Sequence, residues 1–130
     1  MKKNTKSAHD FYNQEAQTYK KMYEPGYEYY PANLIRLKLI IKRLKENNSK
    51  KILDAGCGTA IPMIKLLKSG FNVVGFDYSK EMVTFGKKEL KLANYKPDLI
   101  YHANLEKKRS TRSKKFDAIL ALGVFPHIKK

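Results

Sequence analysis

A chain of 130 residues has room for one domain at most, and a domain of that size buries roughly two-thirds of the surface its unfolded chain exposes. The formal charge of +15 and pI near 9.8 raise the question of an anionic partner such as RNA, but the arginines suited to bidentate phosphate contacts are only Arg36, Arg43, Arg109 and Arg112, and the scattered lysines read first as a solvated surface. The single cysteine, Cys57, excludes an intrachain disulfide and a multi-cysteine metal site; with no apolar run near the ~20 residues that span a bilayer and a polar start, the expectation is a soluble cytoplasmic protein.

In chain order, Ser7 to Lys21 place Phe11, Ala16 and Tyr19 at helical spacing and predict a short amphipathic helix. The Tyr-rich stretch Tyr23 to Tyr30 contains Pro25-Gly26, a turn that interrupts it. Pro31 opens a second helix with Leu34, Leu37, Ile41 and Leu44 on one face, ended by Asn47-Asn48-Ser49. Residues 1–49 thus read as an N-terminal helical extension.

From Lys51 the pattern changes to short apolar strands alternating with helices, the signature of a parallel sheet built from strand–helix–strand units. Ile52 and Leu53 begin a strand that stops at Gly56. Thr59 is the expected N-cap of the following helix, with Pro62 in its first turn and Gly70 closing it. Phe71 to Phe76 is a second strand ending at Asp77, and Ser79 caps a helix through Met82, Phe85 and Leu90 toward Ala93. Leu99 to Tyr101 is a third strand. After a basic loop, Lys107 to Lys115, Phe116 to Leu122 is a fourth.

Gly56-Cys57-Gly58, where a strand turns directly into a helix, lets backbone approach a ligand closely, because glycine presents no side chain and adopts dihedrals closed to other residues. About twenty residues on, Asp77 stands at the end of the neighbouring strand, where a carboxylate can accept from the two ribose hydroxyls of an adenosine. The alternative is a tight turn with Asp77 as an ordinary helix-start residue. A dinucleotide site would want a third glycine where Ile61 stands, and the Gly-x-x-x-x-Gly-Lys-Ser/Thr of triphosphatases is absent. Cys57, between two glycines, reads as space-filling rather than as a nucleophile.

Ile52-Leu53-Asp54-Ala55-Gly56-Cys57-Gly58-Thr59 resembles the first motif of the class I S-adenosylmethionine (SAM)-dependent methyltransferases, with Ala60 in the place of the motif's final glycine. Val74 to Met82 is similar to the family's second motif, and Phe116 to His127 to its fourth-strand motif. The resemblance covers about Lys51 to the end. It implies an α/β fold, a Rossmann-like doubly wound parallel sheet of about four strands with N-terminal helices, and a SAM-binding domain over residues 50–130. It also implies that Gly56 and Gly58 face the methionine portion of SAM and Asp54 holds its amino group. Asp77 would bind the ribose, and Tyr78 and Met82 would line the adenine. Asn104 stands where the family commonly has an aspartate that accepts from the adenine amino group. Cys57 and Leu105 complete the implied cofactor contacts, with Ala121 and Leu122 near the sulfonium. Met82 could equally be helix core; Asp117 reads as a structural carboxylate at a strand start, Tyr19 as packing, and His127 is not named as a base.

Methyl transfer from a sulfonium is an in-line displacement that draws mainly on alignment and exclusion of water, so no catalytic triad is expected. The family's sheet normally continues beyond a fourth strand, and ending near Lys130 is expected to leave that strand as a bare edge, as in a truncated chain. The leading function is methylation of a small molecule, since Leu122-Gly123-Val124-Phe125 stands where base-amino methyltransferases carry Asn/Asp-Pro-Pro-Tyr. The alternatives are an RNA methyltransferase, resting on Lys107 to Lys115, and a non-catalytic SAM-fold module.

Overall fold

The computed structural model describes residues 14, 16–18, 20–21, 24–26, 30–103 and 115–122. At its centre are β1 (Lys51–Ala55), β2 (Asn72–Asp77), β3 (Ile100–His102) and β4 (Ala118–Leu120), all parallel, in the order β3-β2-β1-β4. Helix α1 (Tyr30–Glu46) precedes the sheet, α2 (Ile61–Lys68) joins β1 to β2, and α3 (Lys80–Leu92) leads to a 3-10 turn, Pro97–Leu99, before β3. The expected alternation is present with shifted bounds: β2 starts one residue later, β3 starts after Leu99 is taken into the 3-10 turn, and β4 is the central part of Phe116 to Leu122.

Strand residues alternate between the two faces of the sheet. Ile52, Val73 and Ile100 face α1, α2 and α3 in a cluster with Leu44, Leu66, Val83 and Leu90. Leu53, Ala55, Phe76 and Tyr101 form a second cluster on the opposite face, with the Phe76 and Tyr101 rings 5.6 Å apart. Helix α1 contributes Leu44, with half-buried Ile40 and Ile41 packed against the same cluster, so it shares the core of the sheet. Among the helical residues before it, Ala16 is fully buried, and Lys20 Nζ lies 3.3 Å from Glu89 Oε1 on α3.

Helices α1, α2 and α3 stop by one device. Asn48, Gly70 and Asn94 take left-handed φ angles of 55°, 95° and 65°. The next residue then donates back to the last apolar turn: Ser49 to the Leu44 carbonyl, Phe71 to Leu66 and Tyr95 to Leu90, at 2.9, 3.2 and 2.9 Å. This closes the open carbonyls of a helix end and directs the chain back to the sheet.

The start of α2 corrects the sequence reading. Thr59 is buried and does not cap the helix; Ala60 occupies the cap position with φ 68° and no side-chain cap bond. Residues 57–60 first have to close a turn, in which the Ala60 amide donates to the Cys57 carbonyl at 3.0 Å, and this moves the helix start to Ile61. Ser79 does cap α3 as expected, accepting from the Met82 amide at 3.2 Å.

The chain steps outward from β1 to β2 to β3 and then returns to place β4 on the other side of β1. Where strand order reverses in this way, the loops at the carboxyl ends of the two strands part and leave a crevice. The loop after β1 opens onto it.

Candidate functional site

The loop leaving β1 is held by β2. Gly56 and Cys57 amides both donate to the Phe76 carbonyl, at 2.8 and 2.9 Å, so the turn is an extension of the β1–β2 ladder. Gly56 and Gly58 have φ of 75° and 53°, a region that costs an L side chain about 1–2 kcal/mol. A Cβ built on Gly58 would meet nothing within 4 Å, so the space above it is open to a ligand.

Asp77 closes the other side. Its Oδ2 accepts from the Gly58 amide at 2.9 Å and its Oδ1 from the Ser79 amide at 3.0 Å. The carboxylate therefore joins the glycine loop to the start of α3. Burial raises its pKa above the ordinary range, against the lowering effect of the Ser79, Gly58 and Tyr78 amides and of nearby His102. His102 Nε2 donates to the Tyr78 carbonyl at 2.7 Å, which fastens the end of β3 to the same corner.

Asp54 lies beneath the loop at the end of β1, 2% exposed. Burial, and then the charge of Asp77, push its pKa up to about 7. Two acidic groups thus sit at adjacent strand ends, both held toward the neutral form, and a cationic group entering the crevice would favour their ionised forms.

The remaining expected residues divide. The Cys57 side chain turns into the core, where a Cβ on Gly75 would lie 2.9 Å from Cys57 Cβ and 3.1 Å from Met63 Sδ, so only its backbone belongs to the loop. Its thiol pKa is raised by burial and by Asp54 and Asp77, which makes it a poor nucleophile. Tyr78 is 56% exposed at the rim, and Met82 is buried in the first turn of α3. Ala121 and Leu122 follow β4 directly, half-buried, on the carboxyl edge that bears the loop, since Asp54 pairs with Leu120. Asn104, Leu105, Tyr19, His127 and all of the basic loop except Lys115 lie outside the described residues. Asp117 stands at the opposite edge, its Oδ2 accepting from the Lys50 and Lys51 amides at 2.8 and 2.9 Å, a structural carboxylate.

Sequence reasoning missed two glycines. Gly75 gives Cys57 room within β2, and Gly86, inside α3, lies where a Cβ would approach the Gly58 carbonyl oxygen to 3.1 Å. A glycine inside a regular element is the available signal, since it weakens that element unless close packing requires it.

Residues 52–130 match a family model described as a methyltransferase domain. The chain belongs to the S-adenosylmethionine-dependent methyltransferases. It is 35% identical over 91 residues to the glycine/sarcosine N-methyltransferase of Aphanothece halophytica, a match covering 68% of this chain and 33% of that one. It is 28% identical over 97 residues to a ubiquinone biosynthesis O-methyltransferase of Hydrogenovibrio crunogenus, covering 74% and 39%. Among solved structures, a SAM-dependent methyltransferase from Clostridium acetobutylicum superposes with a TM-score of 0.62 at 25% identity, over 84% of this chain and 42% of that one. The fold is shared with a magnesium protoporphyrin IX methyltransferase from Synechocystis with bound SAH, at a TM-score of 0.71 and 19% identity over 91% and 57%. The chain thus spans about a third of the length of the curated relatives it matches. The residues present fit the family's cofactor in chemistry: two carboxylates and an open glycine loop are complementary to an adenosyl compound with a ribose diol, an ammonium and a sulfonium. Among the described residues no cluster of side chains could hold a metal ion, and no helix is long and apolar enough to cross a membrane.

Proposed function

We propose that this chain is the cofactor-binding part of an enzyme that transfers the methyl group of SAM to a small-molecule acceptor. The observation that carries this reading is the 2.9 Å bond from the Gly58 amide to Asp77 Oδ2, because it brings the glycine turn and the ribose-type carboxylate to one point at the switch in strand order. The Asp77 carboxylate has about four acceptor sites and retains capacity beyond its backbone bonds, which suits it to accept from a ribose hydroxyl. Asp54 would meet the ammonium. Gly56, Cys57 and Gly58 would present backbone to the methionine portion, and Tyr78 and Met82 would border the adenine with Asn104 and Leu105. Ala121 and Leu122 would lie by the sulfonium. The names of the curated relatives, which specify glycine, sarcosine and ubiquinone biosynthesis, support a small acceptor.

The cofactor supplies an electrophilic methyl group. The chain's own work in this reading is to fix the methyl donor's direction and to keep water from the crevice. Asp54, with a pKa raised to about 7, is about half protonated near pH 7, and an ammonium placed beside it would draw off that proton, so binding is coupled to proton release.

Calorimetric titration of the 130-residue chain with S-adenosylhomocysteine tests the site. Binding is expected in the unaltered protein, and Asp77→Ala and Gly58→Val are each expected to weaken it by roughly a hundredfold or more, from lost charge-assisted bonds and a blocked cradle. Absence of binding in the unaltered chain, or equal binding in all three proteins, would overturn the reading.

A further inference from the structure

The glycine loop is bonded on one side and closely approached on the other, where the approaching residue has no side chain. On one side Asp77 Oδ2 takes the Gly58 amide at 2.9 Å. On the other, α3 presents Gly86, where a Cβ would lie 3.1 Å from the Gly58 carbonyl oxygen, 2.8 Å from Ile100 Cδ1 and 3.6 Å from Ala60 Cβ. Ile100 Cδ1 is the far end of a flexible side chain and can turn aside. The Gly58 oxygen is backbone and can move only with the loop.

Ala60 belongs to the same contact. It is fully buried and sits at φ 68°, a conformation that costs an alanine about 1–2 kcal/mol. Its methyl belongs to the core cluster and adjoins the space left open by Gly86. The loop carries a methyl group where its motif resemblance has glycine, and the helix facing it lacks one.

We infer that Gly86 is a positioning residue for the cofactor loop, and that Ala60 and Gly86 act as a matched pair which sets how far Gly58 stands from α3. Gly58 is held at its amide by Asp77, and its carbonyl lies close against the bare backbone of α3 at Gly86. A methyl group at position 86 would push the Gly58 carbonyl away from the helix and draw its amide off Asp77. Glycine at position 60 would give the turn freedom to retreat and recover that bond. This inference rests on the proposed cofactor site for its ligand readout, and on the loop alone for its structural one.

The test uses the full chain as Gly86→Ala, Ala60→Gly and the double variant, followed by NMR hydrogen exchange of the Gly58 amide and by titration with S-adenosylhomocysteine. Gly86→Ala is expected to speed Gly58 exchange and to weaken binding by about tenfold, the scale of one impaired charge-assisted hydrogen bond. Its thermal midpoint should hold, because alanine favours the helix that it crowds. The double variant is expected to regain slow Gly58 exchange and binding to within about threefold of the unaltered chain, a coupling that independent sites do not show. Unchanged Gly58 exchange in Gly86→Ala would overturn the inference, whether or not the ligand binds. So would a loss that follows the thermal midpoint and is not rescued by Ala60→Gly. If the unaltered chain binds no ligand while exchange responds as expected, the cofactor reading fails and the loop clamp stands.

Discussion

The two ends of the sheet use the same bond for opposite purposes. At the amino end Asp117 accepts from the Lys50 and Lys51 amides; at the carboxyl end Asp77 accepts from those of Gly58 and Ser79, with the Tyr78 amide also acting on it. Asp117 is exposed, and its amide bonds hold its pKa below the ordinary value. Asp77 is 7% exposed, and burial overrides its amides and moves its pKa up. Asp77 has the Tyr78 amide in addition and still shifts upward, so desolvation decides the outcome here. The amino end is fastened by a charge that water stabilises. The carboxyl end keeps Asp54 and Asp77 where water does not, which disfavours their charged forms until a cation arrives.

The sharpest way to break this contrast is Asp54→Asn. A pKa raised from 3.8 to about 7 in a fully buried carboxyl means that the ionised form costs the fold on the order of 4 kcal/mol above pH 7. Because the folded value lies above the unfolded one, this contribution favours the fold most below about pH 4 and is lost as pH rises through 7. Denaturant unfolding should therefore find Asp54→Asn more stable than the unaltered chain by a few kcal/mol at pH 8, with the gain shrinking toward pH 4. A gain independent of pH would show that Asp54 does not carry the titration.

Ligand binding should run the other way across the same range. If Asp54 must ionise to hold an ammonium, affinity for S-adenosylhomocysteine should rise by up to about tenfold per pH unit below 7 and level off above it. Asp54→Asn should remove most of that slope, measured by titration at several pH values. The smallest effect is expected at the amino end. Asp117→Asn keeps an acceptor for the Lys50 and Lys51 amides, so a slight fall in thermal midpoint is expected with ligand affinity unchanged. A fall in affinity matching that of Asp77→Ala would erase the distinction between the two ends.

The sheet and the loop were readable because their signals are local. Alternating apolar segments announced β1 to β4, Gly56-Cys57-Gly58 announced the turn, and Ser79 announced the start of α3. What escaped was set by tertiary contact. Alanine ordinarily avoids positive φ, so nothing at Ala60 showed that it would take the cap position expected of Thr59. Gly86 passed unremarked inside the helix that runs through Met82 and Leu90, since its role appears only when the loop is laid against it. Asp77 was read as a ribose acceptor; that its two oxygens already fasten Gly58 and Ser79 depends on a fold-back across residues 58 to 79. The strand bounds slipped where side chains or turns compete with the ladder, as at Leu99 in its 3-10 turn.

A single oxygen, that of the Phe76 carbonyl, takes the first two amides of the turn after β1. The turn consequently has no independent hinge on that side: a change in the pleat of the second strand reaches it directly. A side chain forced into the Gly75 notch, directly before Phe76 and walled by Cys57 and Met63, would press on Cys57 and shift that oxygen, moving the turn without altering the identity of any residue that faces the ligand.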